Sequence, residues 1–357
     1  MTALIGVLGG AGTVGRTAVE RLRGFGFPVL VGGRDLTRAD EVVRATGATA
    51  VAVDLFDGAS LAAFCAGCSV VLNCAGPSYQ VLDRVARAAL DVGAGYVDAA
   101  GDLVAVEALA QDPPAGLAQR PAVFSAGLMP GLSGLLPRLL LDGSPVARLD
   151  VYVGGSVEIS PASAVDALLT RGPKFGHALA MWQGGQAVPH SLAPLRSITL
   201  PGFRGRVHAV PFLSTEMISL ASEAGLTELR NYTVYATDNL PQAFATAWAD
   251  ADRPPEAHAD RIVEAARRDV AAHGRHYGIL AYARPPAGSG LLPRRVLLRT
   301  PDSYPLSGVV AAIAARQVAI GAVAPGAHYA SGALDPETVT EELAADPLIS
   351  ELALPSR

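Results

Sequence analysis

The first third of the chain alternates short apolar runs with stretches of helical periodicity. ALIGVL passes through a glycine-rich turn into a helix from about Val14. PVLVGG leads to LTRADEVVRATG, TAVAVD to GASLAAFCAG, SVVLNCAG to QVLDRVARAALDVG, and GYVDAAG to LVAVEALAQ, with AVFSAG closing the series. The runs are rich in Val, Ile and Ala and short of polar positions, which marks strands buried on both faces. Strands of that kind separated by helices predict an α/β, Rossmann-type doubly wound parallel sheet.

After Gly127 the rhythm changes. GLMPGLSGLLPRLLL reads as a Pro-Gly turn opening a helix. ARLDVYVGGSVEI, LRNYTVYAT, YGILAYARP and RRVLLRT then alternate apolar and polar positions, as strands with one solvated face do. The reading is a dinucleotide-binding domain over residues 1–126 and a second α+β domain over 127–300, with a mixed or antiparallel sheet. That second domain is the place for substrate and for dimerisation through a sheet edge, so a homodimer is expected. Residues 301–357 read as helices returning to the first domain, with the acidic stretch from Pro336 as a surface cap.

The glycine-rich turn brings chemistry into this frame. Gly9, Gly10, Gly12 and Gly15 fall where a strand passes into a helix. A tight turn, a close approach to pyrophosphate and helix–strand packing each demand a residue without a Cβ. Thr13, Val14 and Gly15 open the helix, whose first amides and partial positive charge face the phosphates. At the end of the second strand an NAD site would place a carboxylate for the ribose diol. Gly33 and Arg34 stand there instead, with Arg38 one turn on, and arginines suit a 2′-phosphate. NADP is therefore favoured over NAD, which Asp35 keeps open. Asp54 is a candidate for the adenine edge or for capping the helix after Gly58.

Asn73, Ala75 and Gly76 end the fourth strand, where nicotinamide and substrate meet in such sheets. Tyr79 follows, and Asp98 and Asp102 end the fifth strand, making a candidate polar cluster over the cofactor. The alternative is that Tyr79 packs and the aspartates cap a helix. Trp182, Phe203, Phe212 and Tyr232 are candidates for an apolar pocket or for the core.

Composition narrows the function classes. Half the 357 residues are hydrophobic and 17% are charged, as in a globular protein. A net charge of -5 without basic runs leaves no footprint for nucleic acid or an anionic membrane. Cys65, Cys68 and Cys74 are too few for a disulfide framework and have no second pair for zinc, so they read as structural thiols in a reducing cytoplasm. The histidines show no metal spacing, and no metal is expected. The N-terminus lacks the cationic start of a signal peptide, and LSGVVAAIAARQVAIGAVAP is broken by Arg316 and Gln317, which makes it a buried helix. Lys174 is the one lysine among 28 basic residues and has Thr170 four places before it, so no Tyr-x-x-x-Lys pair exists.

GGAGTVGRTAVERL, VGGRD, NCAGPSYQVLDRVARAALDVGAGYVDAAGD and SAGLMPGLSGLL together resemble the saccharopine dehydrogenase-like reductases. SAGLMPGLSGLL is similar to that family's junction between domains, carried by Gly127, Pro130, Gly131 and Leu136. GVVAAIAARQVAIGAVAPG is similar to its returning helix. The resemblance implies hydride transfer from NADPH to a C=N bond of a small amine- or amino-acid-derived substrate. It also implies a carboxylate near the iminium charge, assigned to Asp102, and Tyr79 orienting the substrate or donating a proton. On the substrate side it points to Pro130 and Gly131 at the junction and to Arg171, Lys174 and His177. An NADPH-dependent enoyl or carbonyl reductase and a non-catalytic NADP-sensing regulator stay open as rivals.

Overall fold

A computed structural model describes residues 3–143, 145–170, 172, 174–250 and 252–355. They divide into two units, one of residues up to 132 with 304–342, the other of 133–303 with the tail from 343.

The first unit is built on a seven-stranded, all-parallel sheet. Six strands come from β1 (Ile5–Leu8), β2 (Val29–Gly33), β3 (Thr49–Ala52), β4 (Val70–Asn73), β5 (Gly95–Asp98) and β6 (Pro121–Phe124). The order is β6-β5-β4-β1-β2-β3, with Gly326–Tyr329 as a seventh strand beside β6. This last strand follows Pro325 and has no apolar run to announce it. Every residue of β1, β4, β5 and β6 is buried, which is why these segments show no alternation. The crossovers are α1 (Thr13–Gly24), α2 (Leu36–Thr46), α3 (Gly58–Cys65), α4 (Ser78–Val81), α5 (Arg84–Asp91) and α6 (Leu103–Gln111). The single helix expected over QVLDRVARAALDVG is broken at Leu82, whose φ of 49° leaves the helical region.

The helix Ser303–Ala319 belongs to this unit and is buried along most of its length. It lies against α1 at Gly308, where a Cβ would sit 2.3 Å from the Val14 carbonyl oxygen. The charged interruption read in the sequence is accommodated: Arg316 pairs with Glu342 and lies over the Phe25 ring, 4.9 Å from its centroid.

The second unit carries a ten-stranded mixed sheet. Its centre is Arg148–Ser156, paired antiparallel to His276–Arg284 and parallel to Glu228–Tyr235, the mixed form of the two expected. Helices Pro161–Leu169, Asn239–Ala249 and Ala259–His273 pack together beside it. Val207–Ser214 and the hairpin Met181–Gln183/Gln186–Val188 extend the sheet on one side. On the other, Glu351–Ala353 from the tail pairs with Arg294–Thr300, so the tail ends as an edge strand rather than a helical cap. Trp182, Phe203 and Tyr232 are buried here, and Tyr232 stacks on Tyr152 at 4.9 Å. Core packing accounts for these three aromatics.

Candidate cofactor and catalytic site

The glycine turn divides its labour among four residues. Gly9 has a φ of +71°, and a Cβ on it would lie 2.8 Å from the Ala75 nitrogen, so turn and close packing both require glycine. A Cβ at Gly10 would meet the Val31 side chain at 2.9 Å. At Gly15 it would fall 2.3 Å from the Gly9 carbonyl oxygen, which lets α1 sit directly on the turn. Gly12 is the open position, where a Cβ would approach only the Gly9 oxygen, at 3.3 Å. Gly12 is also the N-cap of α1, with no side-chain cap and no acidic residue in the first turn. The Thr13, Val14 and Gly15 amides thus begin a helix free of competing carboxylates, the arrangement an anion needs.

At the end of β2, Arg34 and Arg38 are exposed. Asp35 is drawn into the N-cap of α2, accepting from the Thr37 amide at 3.0 Å and from the Thr37 hydroxyl. Those bonds hold its carboxyl below the usual range. A carboxylate committed to its own helix and two exposed guanidiniums fit a 2′-phosphate better than a free ribose diol. Asp54 accepts from the Phe56 amide at 3.0 Å, while Asp57, not Asp54, caps α3.

The ends of β4 and β5 are joined by buried polar contacts. Asp98, 3% exposed, accepts from the Ala100 and Gly101 amides at 2.9 and 2.7 Å through Oδ1. Its Oδ2 accepts from Asn73 Nδ2 at 3.1 Å and from the Tyr96 hydroxyl. Asn73 in turn accepts from the Ala75 amide at 3.1 Å. Burial and the Asp98 charge push the Tyr96 phenol well above its ordinary range and raise the Cys74 thiol. Asp102 caps α6, accepting from the Val104 amide at 3.1 Å. The Tyr79 hydroxyl accepts from Gln80 Nε2 at 3.0 Å on the short α4.

Residues 5–120 match the family model described as the saccharopine dehydrogenase NADP binding domain. Over that segment the chain is similar to a saccharopine dehydrogenase NADP-binding domain. That domain binds NADP, and NADP(H) is its cofactor. Apo saccharopine dehydrogenase (L-Glu forming) from Saccharomyces cerevisiae shares the fold, with a TM-score of 0.69 over 98% of this chain and 99% of that one, at 14% identity. Ribose-5-phosphate isomerase from Brucella melitensis 16M aligns over 27% of this chain and 50% of its own, at 25% identity and a TM-score of 0.24. UDP-glucose-4-epimerase from Stenotrophomonas maltophila aligns over 27% and 36%, at 24% identity and a TM-score of 0.24. No curated protein matches the chain in sequence.

The remaining candidates are scattered over this frame. In the first unit, Gly131 has a φ of +128°, and a Cβ would meet the Gly127 and Ser125 carbonyl oxygens at 2.3 and 2.4 Å. Gly131, next to Pro130, therefore serves backbone packing at the junction. In the second unit Lys174 is exposed in a turn, and His177 is half-buried on Gly176–Ala178, opposite Leu213. Arg171 lies outside the described residues. Tyr96 escaped the sequence reading; its signal is a tyrosine two places before an aspartate in an otherwise aliphatic buried strand. Among the described residues no group of His, Cys, Asp or Glu is arranged to hold a metal ion, and no helix is long and apolar enough to cross a membrane.

Proposed function

We propose that the chain transfers hydride between NADP(H) and the carbon of a C=N bond in an imine derived from a small amine or amino acid. Bound NADPH supplies the hydride. The observation that carries the reading is the chemistry of the loops that follow β4, β5 and β6. Residues 74–82, 99–104 and 125–132 contain no histidine, lysine or arginine. A carbonyl needs a proton delivered to oxygen as hydride arrives, whereas a protonated imine is already electrophilic and asks chiefly for positioning and a nearby negative charge. Asp102 supplies the charge and Tyr79 the orienting phenol.

The test is NADPH oxidation by purified protein with paired amines and carbonyl compounds, beside fluorescence titration of NADPH and NADH. Turnover that requires both partners, with Arg34→Ala raising the NADPH Kd about tenfold and leaving NADH binding unchanged, supports the reading. Turnover of a carbonyl or enoyl compound without amine overturns the C=N assignment.

A further inference from the structure

We infer that Tyr96, Asp98 and Asn73 form a buried positioning network that sets the two loops bordering the nicotinamide end of the NADPH site; this rests on the cofactor assignment. The Asp98 carboxylate receives four donors, from Tyr96, Asn73, Ala100 and Gly101. Two of these are side chains anchored in β4 and β5, both buried along their whole length. The other two are backbone amides of the loop that ends in Asp102. Through Asn73 the same carboxylate reaches the Ala75 amide, and the Ala75 backbone lies so close to Gly9 that a Cβ on Gly9 would fall 2.8 Å from the Ala75 nitrogen. Gly101 carries the brace one strand further, its carbonyl accepting from both the Ser125 amide and the Ser125 hydroxyl, at 2.8 and 2.9 Å.

Asp98 therefore faces inward, and its work is to hold rather than to react. A buried anion with all its bonds made is rigid, and its loss of one donor propagates to the others. Here those others are the amides that place Ala75 under the phosphate turn and Asp102 at the head of α6. Tyr96 is separable from the core because its ring packs edge-on against Phe124, centroids 5.5 Å apart, and a phenylalanine keeps that contact.

The experiment compares wild type, Tyr96→Phe, Asp98→Asn, and the swap of Asp98→Asn with Asn73→Asp. The readouts are NADPH Kd by fluorescence and amide hydrogen exchange of the apo protein. Tyr96→Phe is expected to raise Kd about threefold to tenfold and to speed exchange at Ala75, Ala100 and Gly101 while β1 and β2 stay protected. Asp98→Asn, which sets a new amide donor against the Asn73 amide donor, is expected to be worse than Tyr96→Phe. The swap restores one donor–acceptor pair and is expected to recover part of the affinity, a result that simple loss of stability would not give. Unchanged Kd in Tyr96→Phe, or faster exchange without a change in Kd, overturns the network. Arg34→Ala separates the two claims: if Arg34→Ala weakens NADPH binding and Tyr96→Phe does not, the cofactor assignment stands and this inference falls. A wild type that binds no NADPH overturns both.

Discussion

The two sheets of the chain use polar residues in opposite ways. In the first unit β4 and β5 are buried from end to end, and their polar residues Asn73 and Asp98 come at the last position, where the strand hands over to a loop. In the second unit Arg148 and Asp150 come at the start of the strand, alternating with Leu149 and Val151, and Asp150 is itself buried beneath its arginine partners. Asp150 accepts there from Arg148 and Arg284, at 3.2 and 2.7 Å. A polar residue at the end of a buried strand serves a site, whereas polar residues spaced by two along a strand cover a face. Glycine follows the same division. Gly9 and Gly15 make room for a turn and a helix; Gly154, at a φ of +150°, lies where a Cβ would fall 2.0 Å from the Val234 carbonyl oxygen of the neighbouring strand.

The largest expected effect comes from filling those positions in each unit. In Gly15→Val the first side-chain carbon would lie 2.3 Å from the Gly9 oxygen and 2.7 Å from the Gly10 Cα. In Gly154→Val it would lie 2.0 Å from the Val234 oxygen. Backbone cannot swing away as a side chain can, so each is expected to cost about 3 kcal/mol or more of stability. The comparison is sharpened by NADPH binding measured on the molecules that still fold. Gly154→Val should retain it and Gly15→Val should lose it. Equal loss in both would mean that the glycine turn is not the cofactor's seat.

A smaller effect separates binding from folding within the turn itself. Gly12→Ala adds a methyl whose nearest neighbour is the Gly9 oxygen at 3.3 Å, so the backbone has only to give slightly. At an N-cap the change costs about 0.5–1 kcal/mol. The methyl nonetheless points where the pyrophosphate must approach, and NADPH affinity is expected to fall about tenfold or more. A titration showing unchanged affinity would move the phosphate away from Gly12.

The first unit was legible because its signals are local. Apolar runs, the Gly9–Gly15 spacing and Arg34 after β2 sit within a few residues of the structure they specify. The second unit was legible in its long strands and in the helix Ala259–His273, but its pairing was not. Whether Glu228–Tyr235 runs parallel or antiparallel to Arg148–Ser156 depends on the path of the chain between them, not on either strand's own residues. Short strands such as Gly176–Ala178 and Gly326–Tyr329 are fixed by their partners and carry no periodicity of their own. The candidate site divides along the same line. Spacing found Asp98, but the direction its carboxylate faces depends on Tyr96 and Asn73, and the latter lies on a different strand.

The smallest effect concerns pH, and it belongs to the second unit alone. His276 is 3% exposed, on the strand beside Ser156, with Nδ1 3.2 Å from the Gly274 carbonyl oxygen. Burial lowers its pKa, and the charges of Arg204, His273 and Arg299 lower it further. In the unfolded chain the same imidazole takes up a proton near pH 6.5. Above that value both states are neutral and His276 adds no pH dependence. As pH falls below it, the unfolded state binds a proton that the folded state refuses, so stability drops by at most about 1.4 kcal/mol per pH unit until the folded pKa is reached. His276→Gln is expected to flatten the acid limb of thermal stability between pH 7 and 5. The two tryptophans, Trp182 and Trp248, both lie in the second unit, so their fluorescence follows that unit while NADPH binding follows the other. An acid limb as steep in His276→Gln as in wild type would assign the sensitivity to other groups. A flattened one would place the acid-labile element in the second sheet, away from the buried Asp98 carboxylate that braces the first.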